Sequence, residues 1–316
     1  MEDRALSAEY SLYHHYLPSF YQSRWADEKG KLRRFSKPHG SKLVAKWVSP
    51  KVSGGENLLY TDHSAPPQFA QMMESGFLKP LDTLADEALK RLDDPLIQRD
   101  SRLRSAWSRF LMSLMMRMPD HLETLEAGLV EGWAKTMPEL EAAYAEKRGA
   151  KDPATFSEYL ETRSPEEFRS WMLSVLKRLI DHEMIGERLN NMRWFTRHIP
   201  GNAEFLTSDR PIVTLYELAA PDSYIILPIG PKSAFVAVNN EETQRRIEAN
   251  DAEEWVKGLN RIVVGAAKKF VFARNDSMKD FIAEHFGKQP RTTIFEHLVQ
   301  FRRRKNEEAR PPSQSG

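Results

Sequence analysis

The chain has no cysteine, which removes disulfide scaffolds, thiol nucleophiles, thiolate zinc sites and cysteine-ligated iron–sulfur clusters. It also lacks an excess of charge of either sign. Lys plus Arg number 46 and Asp plus Glu 45, for a formal net charge of +1, so no global field attracts a polyanion and any charge-driven function is local. There is no apolar run of about 18 residues, and residues 1–10 carry neither the basic segment nor the apolar stretch of a secretory leader. The expectation is a soluble cytoplasmic protein with no membrane partner. Walker A, GxGxxG, GxSxG and EF-hand patterns are missing as well. His182-Glu183 opens like a zinc-protease helix, but Gly186 stands where the second imidazole must follow one turn later, and the zinc reading fails. Histidine, carboxylate and arginine are left to carry any polar chemistry.

What is present suffices for a substantial core: 316 residues, 41% of them hydrophobic. Residues 10–25 are rich in aromatics and turns, and short strands are expected there, at 32–35 and at 43–48, with 56–61 a further extended piece. From Phe69 the period changes to 3.6, with Ala70, Met73, Phe77, Leu81 and Leu84 on apolar faces. The strongest helix spans 97–118, where Leu103, Trp107, Phe110, Leu111, Leu114 and Met115 form a stripe that ends at Pro119. A second amphipathic segment covers 122–145, broken near Pro138. Ser164-Pro165-Glu166-Glu167 starts a helix expected to reach Met192, with His182, Gly186, Asn190 and Arg193 marking a polar pocket near its end. Short runs at 204–207, 212–216, 224–228 and 233–239 read as an antiparallel meander. Asn239 is the expected cap of a helix to about 258, 269–273 is a strand, and 277–286 and 293–304 are helices.

Several positions are candidates for chemistry. His14 and His15 would point to opposite faces of a strand, so one ring can act as a base while the other bonds to backbone. Arg117, at the end of the strongest helix, either caps carbonyls or reaches an acidic or phosphate partner. Asp209, in a polar turn between strands, either holds an Asx turn or serves as a carboxylate for a divalent ion or a histidine. The stretch 188–198, with Arg193 and Arg197 beside Trp194 and Phe195, can grip phosphate and stack a base, or close the core as a solvated helix end. Lys288, Arg291 and 302–305 form a basic patch.

Five motifs occur in order: His14-His15-Tyr16-Leu17-Pro18 with Phe20 and Tyr21, Glu56-Asn57-Leu58-Leu59-Tyr60, Arg117-Met118-Pro119, Phe205 to Pro211, and Leu227-Pro228-Ile229-Gly230-Pro231. Together they resemble the bacterial DUF4238 family over roughly residues 12–275. The family pattern has Arg-Thr-Pro at 117–119 and Ser-Asp-Asn-Pro at 208–211, so Arg210 stands here in place of the amide. The resemblance implies no activity. It marks His14, His15, Asn57, Arg117, Ser208 and Asp209.

The resulting expectation is one α+β domain over 1–305, with a flexible tail at 306–316. N- and C-terminal β segments share a composite sheet, and residues 69–200 form a large helical layer between them in sequence. Two functions follow. One is a metal-dependent, nuclease-like phosphodiester hydrolase. His14 or His15 would be its base, Asp209 would orient that base or bind Mg2+ or Mn2+, Arg117 would stabilise phosphate charge, and Asn57, Arg193, Arg197 and Ser208 would bind substrate. Its partner would be nucleic acid or another phosphate-bearing ligand. The other is a non-enzymatic binding or regulatory protein in which the same residues are structural ties.

Overall fold

The computed structural model describes residues 12–289 except Tyr216. The expected helix at 293–304, and with it Arg291 and the cations of 302–305, lies outside the described residues.

Three antiparallel sheets organise the described residues. Strand β1 (Tyr13–His15) pairs with β4 (Gly55–Asn57), setting His14 opposite Glu56 and His15 opposite Gly55. The second sheet has the order β3-β2-β10-β6, from β3 (Val44–Val48), β2 (Leu32–Ser36), β10 (Val271–Ala273) and β6 (Thr207–Ser208). It joins the two ends of the chain, as expected. The third is β5-β9-β8-β7, from β5 (Arg193–His198), β9 (Ser233–Val238), β8 (Tyr224–Gly230) and β7 (Val213–Thr214). Three of the four runs expected in the meander thus form a separate sheet with β5, while the first, at Thr207–Ser208, enters the composite one.

Between the β segments lie a π-helix (Met72–Leu78) and the helices α2 (Lys79–Lys90), α3 (Ser101–Met116), α4 (Pro119–Lys147), α5 (Phe156–Glu161), α6 (Pro165–Ile180) and α7 (Glu183–Asn191). They follow a single-turn α1 (Ser19–Gln22). The apolar stripe of α3 packs as its period dictates: Trp107 meets Phe110 at 5.0 Å and Phe235 of β9 at 5.5 Å between ring centroids. Truncating a buried aromatic of this kind costs about 3–5 kcal/mol. Asp100 caps α3 by accepting the Leu103 amide at 3.0 Å, and Ser164 with Glu167 closes a capping box on α6. Two buried side chains fasten the N-terminal segment to the C-terminal strands. The Tyr21 hydroxyl bonds to Pro228 O at 2.7 Å and Thr207 Oγ1 at 2.8 Å, and Trp25 Nε1 donates to Phe205 O at 2.8 Å.

Three expectations need correction. The helix from Pro165 does not run to Met192: it stops at Asp181, restarts as α7, and gives way to β5. Residues 193–198 pair along their whole length with β9, and an aromatic, β-branched segment gains more from that ladder and from burying Trp194 than from another helical turn. Pro138 does not break α4, which continues through it to Lys147. The cap of α8 (Glu241–Glu248) is Asn240, accepting the Thr243 amide at 2.8 Å, whereas Asn239 donates to the carbonyls of Leu218 and Ala220. Helices α9 (Ala252–Ala266) and α10 (Lys279–His285) complete the described chain. Among the described residues no helix is long and apolar enough to cross a membrane.

Candidate functional site

Helix α3 ends where Met118 turns extended ahead of Pro119, and Arg117 closes its last turn with an amide bond to Ser113 O at 2.9 Å. The Arg117 side chain points inward and has 0% exposure. Its Nη1 donates to both carboxylate oxygens of Asp82, at 3.1 and 3.3 Å. Its Nε and Nη2 have no hydrogen-bond partner among the described residues. A buried donor left unsatisfied costs about 1–3 kcal/mol, more on a charged group, so this guanidinium is held at a cost.

Two carboxyls face it. Asp82, one turn into α2, is pushed up to about 6 by burial, against the pull of Arg117. Glu74 on the π-helix is pushed up to about 7 by burial, with Arg117 and Lys79 pulling it down and Asp82 raising it. Its Oε2 is buried without a hydrogen-bond partner among the described residues. Both carboxyls thus titrate close to neutrality, where proton transfer is efficient.

From the other side come β1 and the segment after β4. His14 is fully buried; its Nδ1 accepts the Tyr60 amide at 2.9 Å and its ring stacks on Tyr60 at 5.7 Å. The proton of this imidazole therefore sits on Nε2. The Tyr60 hydroxyl donates to the Arg117 carbonyl at 2.5 Å, tying the turn to the end of α3. His15 projects from the opposite face of β1, with Tyr13 edge-on at 5.1 Å. Burial, opposed by backbone hydrogen bonding at Pro50 and Lys51 and aided by the charge of Arg117, lowers its pKa, so it is neutral at pH 7. Its Nε2 has no hydrogen-bond partner among the described residues. The alternation of β1 thus divides the pair: His14 is a backbone tie and His15 keeps a nitrogen available.

The buried Tyr16 hydroxyl lacks a hydrogen-bond partner among the described residues and feels the charges of Asp209, Glu56 and Arg34. Asp209, just beyond β6, is 1% exposed and accepts the amides of Lys268 at 3.0 Å, Lys269 at 2.5 Å and Phe270 at 2.9 Å. Burial raises its pKa against these three donors. The carboxylate therefore anchors the chain entering β10, and its contacts run to backbone, not to a histidine. Ser208 Oγ likewise donates to Val263 O at 3.0 Å and accepts the Arg210 amide at 3.0 Å. Arg210 pairs with Asp120 in the first turn of α4, which also lies 3.4 Å from Lys268 Nζ.

The other expected substrate contacts lie elsewhere. Asn57 is an exposed strand residue opposite Tyr13. Arg193 donates to Gln244 at 3.2 Å, while Arg197 lies over Trp255 and donates to the carbonyls of Ile247 and Asn250, so both face α8 and α9. The polar pocket expected from His182, Gly186, Asn190 and Arg193 is present in part, as a notch of about 400 Å³ lined by the first three with Arg109 and Asp181, while Arg193 lies outside it on β5. A second groove, about 950 Å³, is lined by Phe156, Tyr159, Phe168 and Trp171. Neither contains Arg117. Lys288 is exposed beyond α10.

Glu74 and Asp82 escaped the sequence reading, and Tyr16 and Tyr60 entered it only as members of motifs. A signal existed for the two acids. Glu74 falls four residues after Ala70 and three before Phe77, and Asp82 four after Leu78 and three before Ala85, which puts carboxyls on the faces that bury. Among the described residues no group of three or more His, Asp and Glu is arranged to hold a metal ion. With Asp209 engaged by amides and Asp82 by Arg117, the Mg2+ or Mn2+ role expected for Asp209 has no assembled ligand set there.

Comparison with known proteins returned one family model, described as a protein of unknown function, DUF4238, which matches residues 13–277. No curated protein and no solved structure matches the chain. The matched span takes in His14, His15, Glu74, Asp82, Arg117 and Asp209, and over this span the chain belongs to the DUF4238 family.

Proposed function

We propose that the Arg117 cluster is an anion-recognising acid–base site whose reaction is the hydrolysis of a phosphodiester. The observation that carries this reading is the guanidinium itself: fully buried, fixed by Asp82 through one nitrogen, with Nε and Nη2 open. Two such donors match the oxygens of a phosphoryl group. His15, neutral and with a free Nε2, is the base for an attacking water. Charge building on the phosphoryl oxygens in the transition state is met by a donor held in place before the reaction, in surroundings where water does not screen it.

Arg117 has no solvent exposure, so a rigid duplex does not present a phosphate to it. A phosphate reaches it only where the surrounding elements part, which a small diester or a flexible single-stranded end requires least.

The experiment is turnover on single-stranded DNA and RNA, duplex DNA and cyclic dinucleotides, each with and without Mg2+ or Mn2+. The protein and its His15→Gln and Arg117→Lys variants are compared. Expected is cleavage of at least one single-stranded or small diester, reduced at least about 100-fold in either variant with the unfolding midpoint of His15→Gln unchanged. Absence of cleavage from every substrate sinks the reading.

A second reading rests on a different observation. The Asp209 carboxylate and His14 Nδ1 are filled by backbone amides, which favours a non-enzymatic protein whose polar groups fasten the two β ends. It predicts that Asp209→Asn and His14→Ala unfold the chain while His15→Gln changes nothing measurable.

A further inference from the structure

We propose that the groove between α4, α5 and α6 binds a small organic ammonium ion with an apolar or aromatic body, at a site separate from Arg117.

The groove is built from apolar side chains that the core leaves over. Helix α6 turns Met172, Leu173, Leu176 and Ile180 into the core. Its Phe168 and Trp171 line the groove instead, and Trp171 is 36% exposed. Helix α5 contributes Phe156 and Tyr159, whose ring centroids lie 6.0 Å apart with planes inclined by 19°. On α4, Val130 follows Glu126 by one turn on the same face and is 53% exposed. Contiguous apolar surface of this kind marks an interaction site. The volume of about 950 Å³ lies within the range of about 300–1,000 Å³ in which small ligands are held.

The polar lining selects the charge of the ligand. Four serines and four charged side chains reach the groove, and most are engaged within the protein. Ser64 and Ser170 donate to Asp62 at 2.7 and 2.6 Å, and Ser174 donates to Trp171 O at 2.7 Å. Ser164 Oγ accepts the Glu167 amide at 3.2 Å. Glu167 in turn accepts from Arg163 Nη1 at 2.8 Å and from the Ser164 amide at 3.0 Å. Glu126 and Glu161 remain, with no ion pair or side-chain hydrogen bond among the described residues. An entering ligand therefore meets two uncompensated carboxylates. They repel an anion, and only a cation gains from both the charge and the apolar wall.

The carboxylates alone would make a solvated rim. The rings beside them matter because an aromatic face attracts a cation through its quadrupole. The chain already uses this arrangement once: the guanidinium carbon of Arg163 lies 4.3 Å from the Tyr159 ring centroid while Nη1 is held by Glu167. An ammonium ligand needs the same two elements, a ring face and a carboxylate. The groove supplies them in Phe168 and Trp171 with Glu126 and Glu161, and leaves Val130 and Leu160 for the apolar body.

The test is calorimetric titration of the full chain with benzyltrimethylammonium, and with benzylsulfonate as a probe of similar size and opposite charge. Expected is saturable binding of one ammonium ion per chain, at least about 10-fold tighter than benzylsulfonate. Glu126→Gln/Glu161→Gln keeps the shape and removes the charge, and should weaken the cation at least about 3-fold without weakening benzylsulfonate. Trp171→Leu keeps an apolar side chain and removes the ring, and should weaken the cation about 2- to 5-fold. Urea midpoints control for folding, and the glutamine pair, at two exposed positions, decides the matter should Trp171→Leu be unstable. No saturable heat up to about 10 mM ammonium ion, equal affinity for the two probes, or an affinity unmoved in the glutamine pair overturns the proposal. Binding of an oligolysine without binding of benzyltrimethylammonium overturns it as well, and makes the occupant a partner chain. These outcomes are independent of hydrolysis at Arg117.

Discussion

Replacing Arg117 with methionine isolates the energetics of the buried cluster. The side chain is fully enclosed and its Nη1 lies 3.1 Å from Asp82 Oδ1, so the variant leaves a carboxylate desolvated with no cation beside it. Breaking a buried pair from one side costs about 3–5 kcal/mol. That cost depends on pH, and its sign is fixed by the acids. Asp82 at about 6 and Glu74 at about 7 already lie above their ordinary values in the folded chain. Arg117 pulls both down, so its removal drives both further up. The folded variant then binds more protons than the unfolded chain across the neutral range, and its stability falls as pH rises through that range. At pH 8 the variant should show most of the loss, the remainder following as the raised carboxyls finish ionising. At pH 5 both acids are protonated in the fold, and the loss should be smaller by about 1.4 kcal/mol for each unit by which the removal raises their pKa values. Urea unfolding at the two pH values reads the difference. The double variant Arg117→Met/Asp82→Leu should regain most of the pH 8 loss, because an apolar pair of similar volume often replaces a buried ion pair without net cost. A loss equal at pH 5 and 8, or a double variant no more stable than the single one, refutes the reasoning.

Other substitutions probe the ties around the site. Asp209→Asn exchanges a carboxylate that accepts three backbone amides for a group with one acceptor oxygen, and should cost about 2–3 kcal/mol by denaturant titration; a change below about 0.5 kcal/mol would contradict the anchor role. Tyr16→Phe removes a hydroxyl with no hydrogen-bond partner among the described residues, whereas Tyr21→Phe removes one bonded to Thr207 and Pro228. The first should leave stability within about 0.5 kcal/mol and the second lower it by about 1–1.5 kcal/mol, and the reverse order would be fatal to the assignment. Gly54 has φ +65°, and a Cβ there would lie 2.6 Å from Gln22 Nε2 and 3.0 Å from Leu17 Cβ. Gly54→Ala should therefore destabilise by about 1–3 kcal/mol in thermal or urea unfolding, and a neutral result would show that the turn beside β4 relaxes freely.

How far the sequence revealed this arrangement varies by element. The stripe of α3 and the helix start at Ser164 are local patterns whose period and spacing carry their own meaning, and they formed as read. The composite sheet was legible because residues 32–48 and 271–273 have strand character and little else to pair with. Strand β5 was not. Its residues read equally as a cationic, aromatic helix end, and only the six-residue ladder with β9 decides between them. The cluster itself was half visible. His15 and Arg117 stand out in sequence because histidine pairs and an arginine before proline are conspicuous. Glu74 and Asp82 sit inside apolar stripes where attention goes to the hydrophobic residues, and their meaning depends on the arginine that faces them from 35 positions away in the case of Asp82. Asp209 was singled out as either an Asx-turn residue or a carboxylate for a divalent ion or a histidine, but the amides that fill it belong to residues 268–270, which spacing alone does not bring near.

The central claim is that the unpartnered nitrogens of Arg117 donate to a phosphoryl oxygen. The most direct measurement is the 15N–1H resonance of Arg117 Nε, assigned by its loss in Arg117→Lys, during titration with dimethyl phosphate, a simple phosphodiester. The account predicts a saturable downfield shift of that proton as it gains a charge-assisted acceptor, abolished by no other arginine replacement than that of Arg117. A resonance that stays in place while the diester is raised to saturating concentration, or that moves only in step with general salt, would contradict it.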